Sequence, residues 1–247
     1  MDTLVLCYHA VSPTWPAALS VTPDALERQL WFLTRLGYHG ETFSQALLHP
    51  TPPRTLVVTF DDAFASVLEF AQPVLAAAGV PGTVFVPTRF PAAATPLTWP
   101  GIDHWLHTPH TDELRCLSWD QLGSLAESGW EIGSHTRSHP RLTTLDDDRL
   151  AGELVDSRAD IEAQLGRECL SVAYPYGNVD SRVAEAARRA GYSVAAAMSS
   201  HLAGLGVLRW PRLGVYHVDT TLRFLLKMSP PMRALRASRL WPRDWSA

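Results

Sequence analysis

Short apolar runs rich in β-branched residues recur along the chain at residues 4–8, 55–60, 82–86, 130–134, 171–174, 193–197 and 207–215. Their length and composition read as strands. The segments between them carry apolar positions at helical spacing. Thr22-Pro23 has the form of an N-cap followed by proline at the first helical position, opening a helix that Gly37 closes. Ser118 and Gln121 have capping-box spacing, and Gly129 ends that helix. A longer charged helix is expected over residues 146–165 and another over 181–190, stopping at Gly191. Strands alternating with helices are the order expected when parallel strands are covered by helices, and seven strands approach a barrel's count.

Length and composition narrow this picture. The 247 residues suit one barrel domain of about 250 residues. With 46% hydrophobic and 19% charged residues the chain is neither disordered nor fibrous. A net charge of -4 lacks the basic field that holds nucleic acid, so no nucleic-acid partner is expected. Cys7, Cys116 and Cys169 are odd in number and widely spaced, which fits no disulfide framework and implies a reducing, cytoplasmic setting. No run approaches the roughly 18 apolar residues of a membrane span, and the N-terminus lacks the features of an export signal. The barrel is expected over residues 1–229. Residues 230–247 form a basic tail with Arg233, Arg236, Arg239, Arg243 and two tryptophans. That tail suits either peripheral contact with a membrane or a segment folded over the barrel.

Four polar clusters follow expected strands: Tyr8-His9, Asp61-Asp62, His135 with His139, and Tyr174-Pro175-Tyr176-Gly177. In barrels and open parallel sheets that end of the strands binds ligands. The adjacent carboxylates repel unless a cation or hydrogen bonds compensate, although one could cap a helix while the other faces water. His135 and His139, between Gly133 and Pro140, lie in a constrained loop. Two imidazoles and a carboxylate would make a facial set of metal ligands with positions left open, while any single histidine there is more often surface or core.

Together these residues resemble the polysaccharide deacetylases, the NodB-homology proteins of carbohydrate esterase family four. Thr59-Phe60-Asp61-Asp62 is similar to that family's first motif, His135-Thr136-Arg137-Ser138-His139 to its second, and Tyr174-Pro175-Tyr176-Gly177 to its third. The resemblance implies a distorted (β/α)7 barrel of single-domain α/β class. It also implies that Asp62, His135 and His139 hold one divalent metal ion, zinc ahead of cobalt, nickel or iron. Asp61 would be the general base and the backbone N–H of Tyr176 an oxyanion donor, with Pro175 and Tyr176 against the substrate. The family usually supplies a late histidine as general acid. His201 and His217 are the late histidines here, and neither ends a convincing strand. Residues 4–9 resemble the opening of a circularly permuted subgroup, the poly-N-acetylglucosamine deacetylase-like proteins, in which the acid-bearing strand comes first, so His9 is preferred. The family often places arginine two residues before the third-motif proline, where this chain has Ala173. Arg209 or Arg212 would supply that charge from the last strand, with Arg212 preferred.

His104, His107 and His110 have three-residue spacing but no carboxylate company and read as loop surface, whereas Trp99 is a candidate platform for a sugar ring. The expected activity is removal of N-acetyl groups from N-acetylhexosamine units of a glycan or glycolipid precursor. The alternatives are a deformylase or small-amide hydrolase on the same fold, and a non-catalytic carbohydrate-binding barrel.

Overall fold

The computed structural model describes residues 3–93, 95–199, 202, 206–238 and 241. Seven strands form the barrel: β1 (Leu4–Tyr8), β2 (Thr55–Phe60), β3 (Gly82–Val86), β4 (Glu131–Ser134), β5 (Ser171–Ala173), β6 (Val194–Met198) and β7 (Trp210–Gly214). All neighbours are parallel, in the order β1-β7-β6-β5-β4-β3-β2. β2 pairs back onto β1 from Leu4↔Leu56 to Tyr8↔Phe60 and closes the ring. The first strand therefore lies between the second and the last, which pairs with it through Leu6↔Leu213 and Cys7↔Gly214. The expected (β/α)7 barrel is present.

Alternation along the strands sorts the side chains. Val5, Val57, Phe85, Ala173, Val194 and Ala196 form a small inner core, closed at the strands' starting end by Phe43 and Ala46 of the helix Phe43–Leu48. Leu4, Leu6, Tyr8, Leu56, Val58, Phe60, Val84 and Val86 belong to the larger core beneath the helices. The period of two means that Cys7 and then His9 continue the inner row of β1, while Thr59 and then Asp61 continue that of β2. Gly133 lies on the inner row of β4. A Cβ there would stand 2.5 Å from Ser171 Oγ and 2.6 Å from Phe85 Cε1, so only glycine fits beneath His135.

The expected helices form with the expected caps. Thr22 Oγ1 accepts from Ala25 N at 3.2 Å to open Pro23–Arg35, and Ser118 and Gln121 make a complete capping box on Trp119–Glu127. Asp146 caps Asp147–Leu165, which ends at Gly166 in the left-handed region, and Asp180 caps Ser181–Arg189. Two details differ from expectation. The last strand starts at Trp210, because Val207–Arg209 is a 3-10 turn. Short strand pairings also form at Ala10–Val11 with Ser20–Val21, and at His39–Glu41 on β2, where two or three residues give no periodic signal.

After β7 the chain forms helices Thr221–Met228 and Pro230–Ala237. The second docks on the barrel: Arg233 Nη1 donates to Tyr38 Oη at 2.7 Å, and Arg236 O accepts from Leu202 N at 3.1 Å. Arg239 and Arg243 lie outside the described residues. No described helix is long and apolar enough to cross a membrane.

Candidate active site

The site forms where β1, β2, β4, β5 and β7 end. β2 delivers two adjacent carboxylates. Asp61 continues the strand, its N–H donating to Tyr8 O at 3.0 Å, and the chain then turns sharply with φ +72° at Asp62 and +54° at Ala63. Both carboxylates are buried. Their surroundings differ completely.

Asp61 is held by Arg212 of β7 in a two-pronged pair, Nη1 to Oδ1 at 2.6 Å and Nη2 to Oδ2 at 2.7 Å. Nη1 also donates to Thr59 Oγ1 at 3.0 Å, Thr59 Oγ1 donates to Leu6 O at 2.7 Å, and the guanidinium lies 5.4 Å from the Phe85 ring centroid. Arg212 is 1% exposed, so its charge has no water to screen it. Burial alone would raise the Asp61 carboxyl, but the Arg212 guanidinium together with the His135 and His9 imidazoles outweighs burial and holds it at about 2. Cys7 Sγ contacts Oδ2 at 3.5 Å from below.

Asp62 has no such cation. Its Oδ1 lies 3.4 Å from His135 Nε2 and 3.3 Å from His139 Nε2, yet it forms no proper hydrogen bond and is left buried without a partner. Burial pushes its carboxyl up, and the two imidazoles more than reverse this, holding it well below the usual range. His135 Nδ1 bonds Ala173 O at 2.8 Å. A carbonyl only accepts, so Nδ1 carries a proton and Nε2 is the nitrogen that faces Asp62 and the site.

The loop between the two histidines is strapped in a strained form. Thr136 and His139 have φ of +64° and +63°, each costing about 1–3 kcal/mol. His139 N donates to Thr136 Oγ1 at 3.2 Å and Thr136 N to Ser134 Oγ at 3.0 Å. Glu153, on the helix Asp147–Leu165, accepts from Arg137 N at 2.9 Å, Ser138 N at 2.8 Å and Ser138 Oγ at 2.5 Å. Asp62, His135 and His139 bring one ligand atom each within 4.8 Å of one another. Two imidazole nitrogens and an orphaned carboxylate oxygen fit zinc, cobalt, nickel or iron better than magnesium or calcium, which take mainly oxygen ligands.

His9 arrives from β1 half-buried, and its Nδ1 is enclosed without a partner. One of its ring nitrogens lies within 4.8 Å of an Asp61 oxygen and of Cys7 Sγ. The structure thus brings Asp61, Asp62, His9, His135, His139 and Arg212 together. His217 is exposed, with its backbone N–H on Ala18 O, and His201 lies outside the described residues. Arg209 Nη2 reaches Val179 O at 3.4 Å instead of a carboxylate. Ala173 packs in the inner core, where the space is shared with Arg212's neighbour Phe85.

Tyr176 adopts φ +59°, Pro175 is buried, and the Tyr176 ring lies 4.7 Å from that of His139, under the Arg141 guanidinium at 4.3 Å. Gly177 follows at φ +68°, where a Cβ would stand 2.4 Å from Met198 Cβ. Trp99 has a different neighbour from the sugar expected of it. Its ring stacks on His139 at 4.0 Å, meets Phe90 edge-on and is 8% exposed, so it acts as a wall that orients the imidazole. His104 and His110 pack around Trp105 and His107 is exposed. Cys7, Thr59, Glu153 and Arg141 also belong to the site without being candidates in the sequence. Alternation from His9 and Asp61 would have found the first two, whereas Glu153 and Arg141 carry no local signal.

Comparison with known proteins follows the same lines. A family model described as polysaccharide deacetylase matches residues 49–195. YxkH of Bacillus subtilis (strain 168), whose name places it among polysaccharide deacetylases, is 25% identical over 195 residues, 77% of this chain and 62% of that protein. The chain thus spans less than two thirds of that relative. Among solved structures, the Streptococcus pyogenes deacetylase PplD in complex with acetate has a TM-score of 0.77 at 21% identity, covering 93% of this chain and 99% of that one. IcaB from Ammonifex degensii has a TM-score of 0.68 at 23% identity, covering 96% and 97%. These structures share the fold.

Proposed function

The chain belongs to the polysaccharide deacetylase family, and from that premise we propose that it is a metal-dependent hydrolase that removes N-acetyl groups from N-acetylhexosamine units of a glycan or glycolipid precursor. Asp62, His135 and His139 hold one divalent ion, zinc ahead of cobalt, nickel or iron. When bound, that ion polarises the scissile carbonyl and makes water more acidic. Asp61, kept ionised and fixed in orientation by Arg212, takes a proton from the attacking water as its oxygen bonds to the acetamide carbon. The backbone N–H of Tyr176 stabilises the developing oxyanion. Cleavage of the C–N bond needs a proton on the nitrogen, and His9 donates it, so that acetate and a free amine leave. Pro175 and the Tyr176 ring border the sugar, and Trp99 acts through His139.

The observation that carries this reading is the unequal treatment of two adjacent buried carboxylates. Asp61 has a permanent cation, and Asp62 has an orphaned oxygen aimed at two imidazoles. A binding barrel without chemistry has no physical need for that pair, since an uncompensated buried charge is costly. The test incubates chitooligosaccharide with the chelated and metal-resupplied protein and quantifies acetate, formate and free amine. Metal-dependent acetate with matching amine is expected, and D61N should lose about 10²–10⁴ in rate while keeping its metal. Formate only, or metal uptake without turnover on any amide, would replace this function with one of the alternatives.

A further inference from the structure

The inner row of β1 carries a third potential ligand past the proposed metal site. Cys7 is fully buried, one inward position before His9, and its thiol contacts Asp61 Oδ2 at 3.5 Å. Cys7, His9 and Asp61 present a sulfur, a nitrogen and an oxygen all within 4.8 Å of one another, and His9 Nδ1 is buried with no hydrogen-bond partner. Bonds of about 2.0–2.3 Å in a tetrahedral zinc site place ligand atoms roughly 3.5 Å apart. The sulfur and the carboxylate oxygen already stand at that separation. Nothing in the proposed reaction uses the thiol.

We propose that Cys7, His9 and Asp61 form a second cation site, separate from Asp62, His135 and His139, that takes a thiophilic divalent ion such as cadmium or excess zinc and inhibits the enzyme. Binding replaces the S–H bond with a sulfur–metal bond and releases the Cys7 proton to solvent. The Oδ2 lone pair that faced the thiol then faces the ion, while Arg212 keeps its own lone pairs on the same carboxylate. The ion balances the thiolate and carboxylate charges, so the Arg212 guanidinium is left as the net positive charge of the cluster. The donor set discriminates against magnesium and calcium, because thiolate is a soft ligand. Inhibition follows because the ion occupies both the base and the acid, a consequence that rests on the roles proposed above. The binding itself does not.

The test titrates chelator-treated protein with cadmium, following equilibrium dialysis and the ultraviolet sulfur-to-cadmium charge-transfer band. Wild type should bind two ions per chain, one with the band and with proton release. C7A should bind one ion without the band, and the isosteric C7S should do the same if the alanine variant fails to fold. C116A should retain both ions and the band. D62A should lose the ion that gives no band and keep the other, so failure of the proposed catalytic metal is seen separately. Zinc beyond one equivalent should inhibit wild type, with the inhibitory concentration rising at least about tenfold in C7S, since even outer partners of a ligand are worth that much. A band that survives in C7A and C7S, or wild type that binds a single ion without a band, overturns the site.

Discussion

Each end of the barrel takes in a carboxylate, half-buried at one end and buried at the other, and the two are held in opposite ways. At the strands' starting end Glu131 opens β4. Its Oε1 accepts from Ser171 Oγ at 2.5 Å, and its Oε2 accepts from Ser44 N at 2.7 Å and Thr83 Oγ1 at 3.5 Å. Thr83 in turn accepts from Phe43 N, so the acid and the threonine satisfy the opening N–H groups of the plugging helix. Every donor is neutral. At the far end Asp62 has the same chemistry and an orphaned oxygen, with a second carboxylate next to it. A closed polar network holds a structure in place, and an open one leaves capacity for a ligand. The candidate site lies where satisfaction is incomplete.

Four substitutions, two of them paired with a control variant, probe that contrast. D62A should have the largest effect, with deacetylation falling to background and the first metal equivalent lost in dialysis, while the barrel stays folded by circular dichroism. A first equivalent retained at wild-type affinity would mean that the orphaned oxygen is not a ligand. R212M leaves Asp61 as an uncompensated buried charge and should lower unfolding free energy by about 3–5 kcal/mol, whereas R209M should stay within about 0.5 kcal/mol in denaturant titration. Similar losses in both would remove the special standing of the Arg212 pair. H9A should slow amide hydrolysis by about 10²-fold and barely affect an aryl acetate, whose leaving group needs no proton, with H217A unchanged on both. Equal slowing on amide and ester would assign His9 some task other than protonating the amine.

Apart from the two controls, E131Q should have the smallest effect, about 1 kcal/mol, and its signature is pH dependence. Burial raises the Glu131 carboxyl above its ordinary value even though Ser171, Ser44 and Thr83 bond to the ionised form. A raised acid contributes stability below its unfolded value that is lost as pH rises through the folded one. Wild type should therefore lose stability relative to E131Q as pH rises from about 4.5. Parallel curves would show that this end of the barrel is as wet as an ordinary surface.

The seven barrel strands and the capped helices were legible because each has a local cause: an apolar run, a capping serine, a closing glycine. The candidate ligands were legible for the same reason, since Asp61-Asp62 and the His135–His139 spacing are local patterns. Arg212 was singled out from what Ala173 lacks, and its contact with Asp61 depends on ring closure that no window of sequence contains. His9 and Arg212 both fall outside residues 49–195, the part that matches the family model. Trp99 was assigned to substrate because an aromatic loop residue gives no sign of which ring it will meet. Glu153 straps the histidine loop from a helix that reads only as charged.

The seam at which the barrel closes runs through the site. β1 is synthesised first and must find β7, the last strand, to complete the ring. A nascent chain that has emerged only through residue 200 already holds Asp62, His135 and His139, yet it lacks Arg212, the guanidinium that pairs with Asp61. In the proposed mechanism the residues assigned to the ion thus precede the cation that readies the base, and translation must reach the final strand before that pair can form.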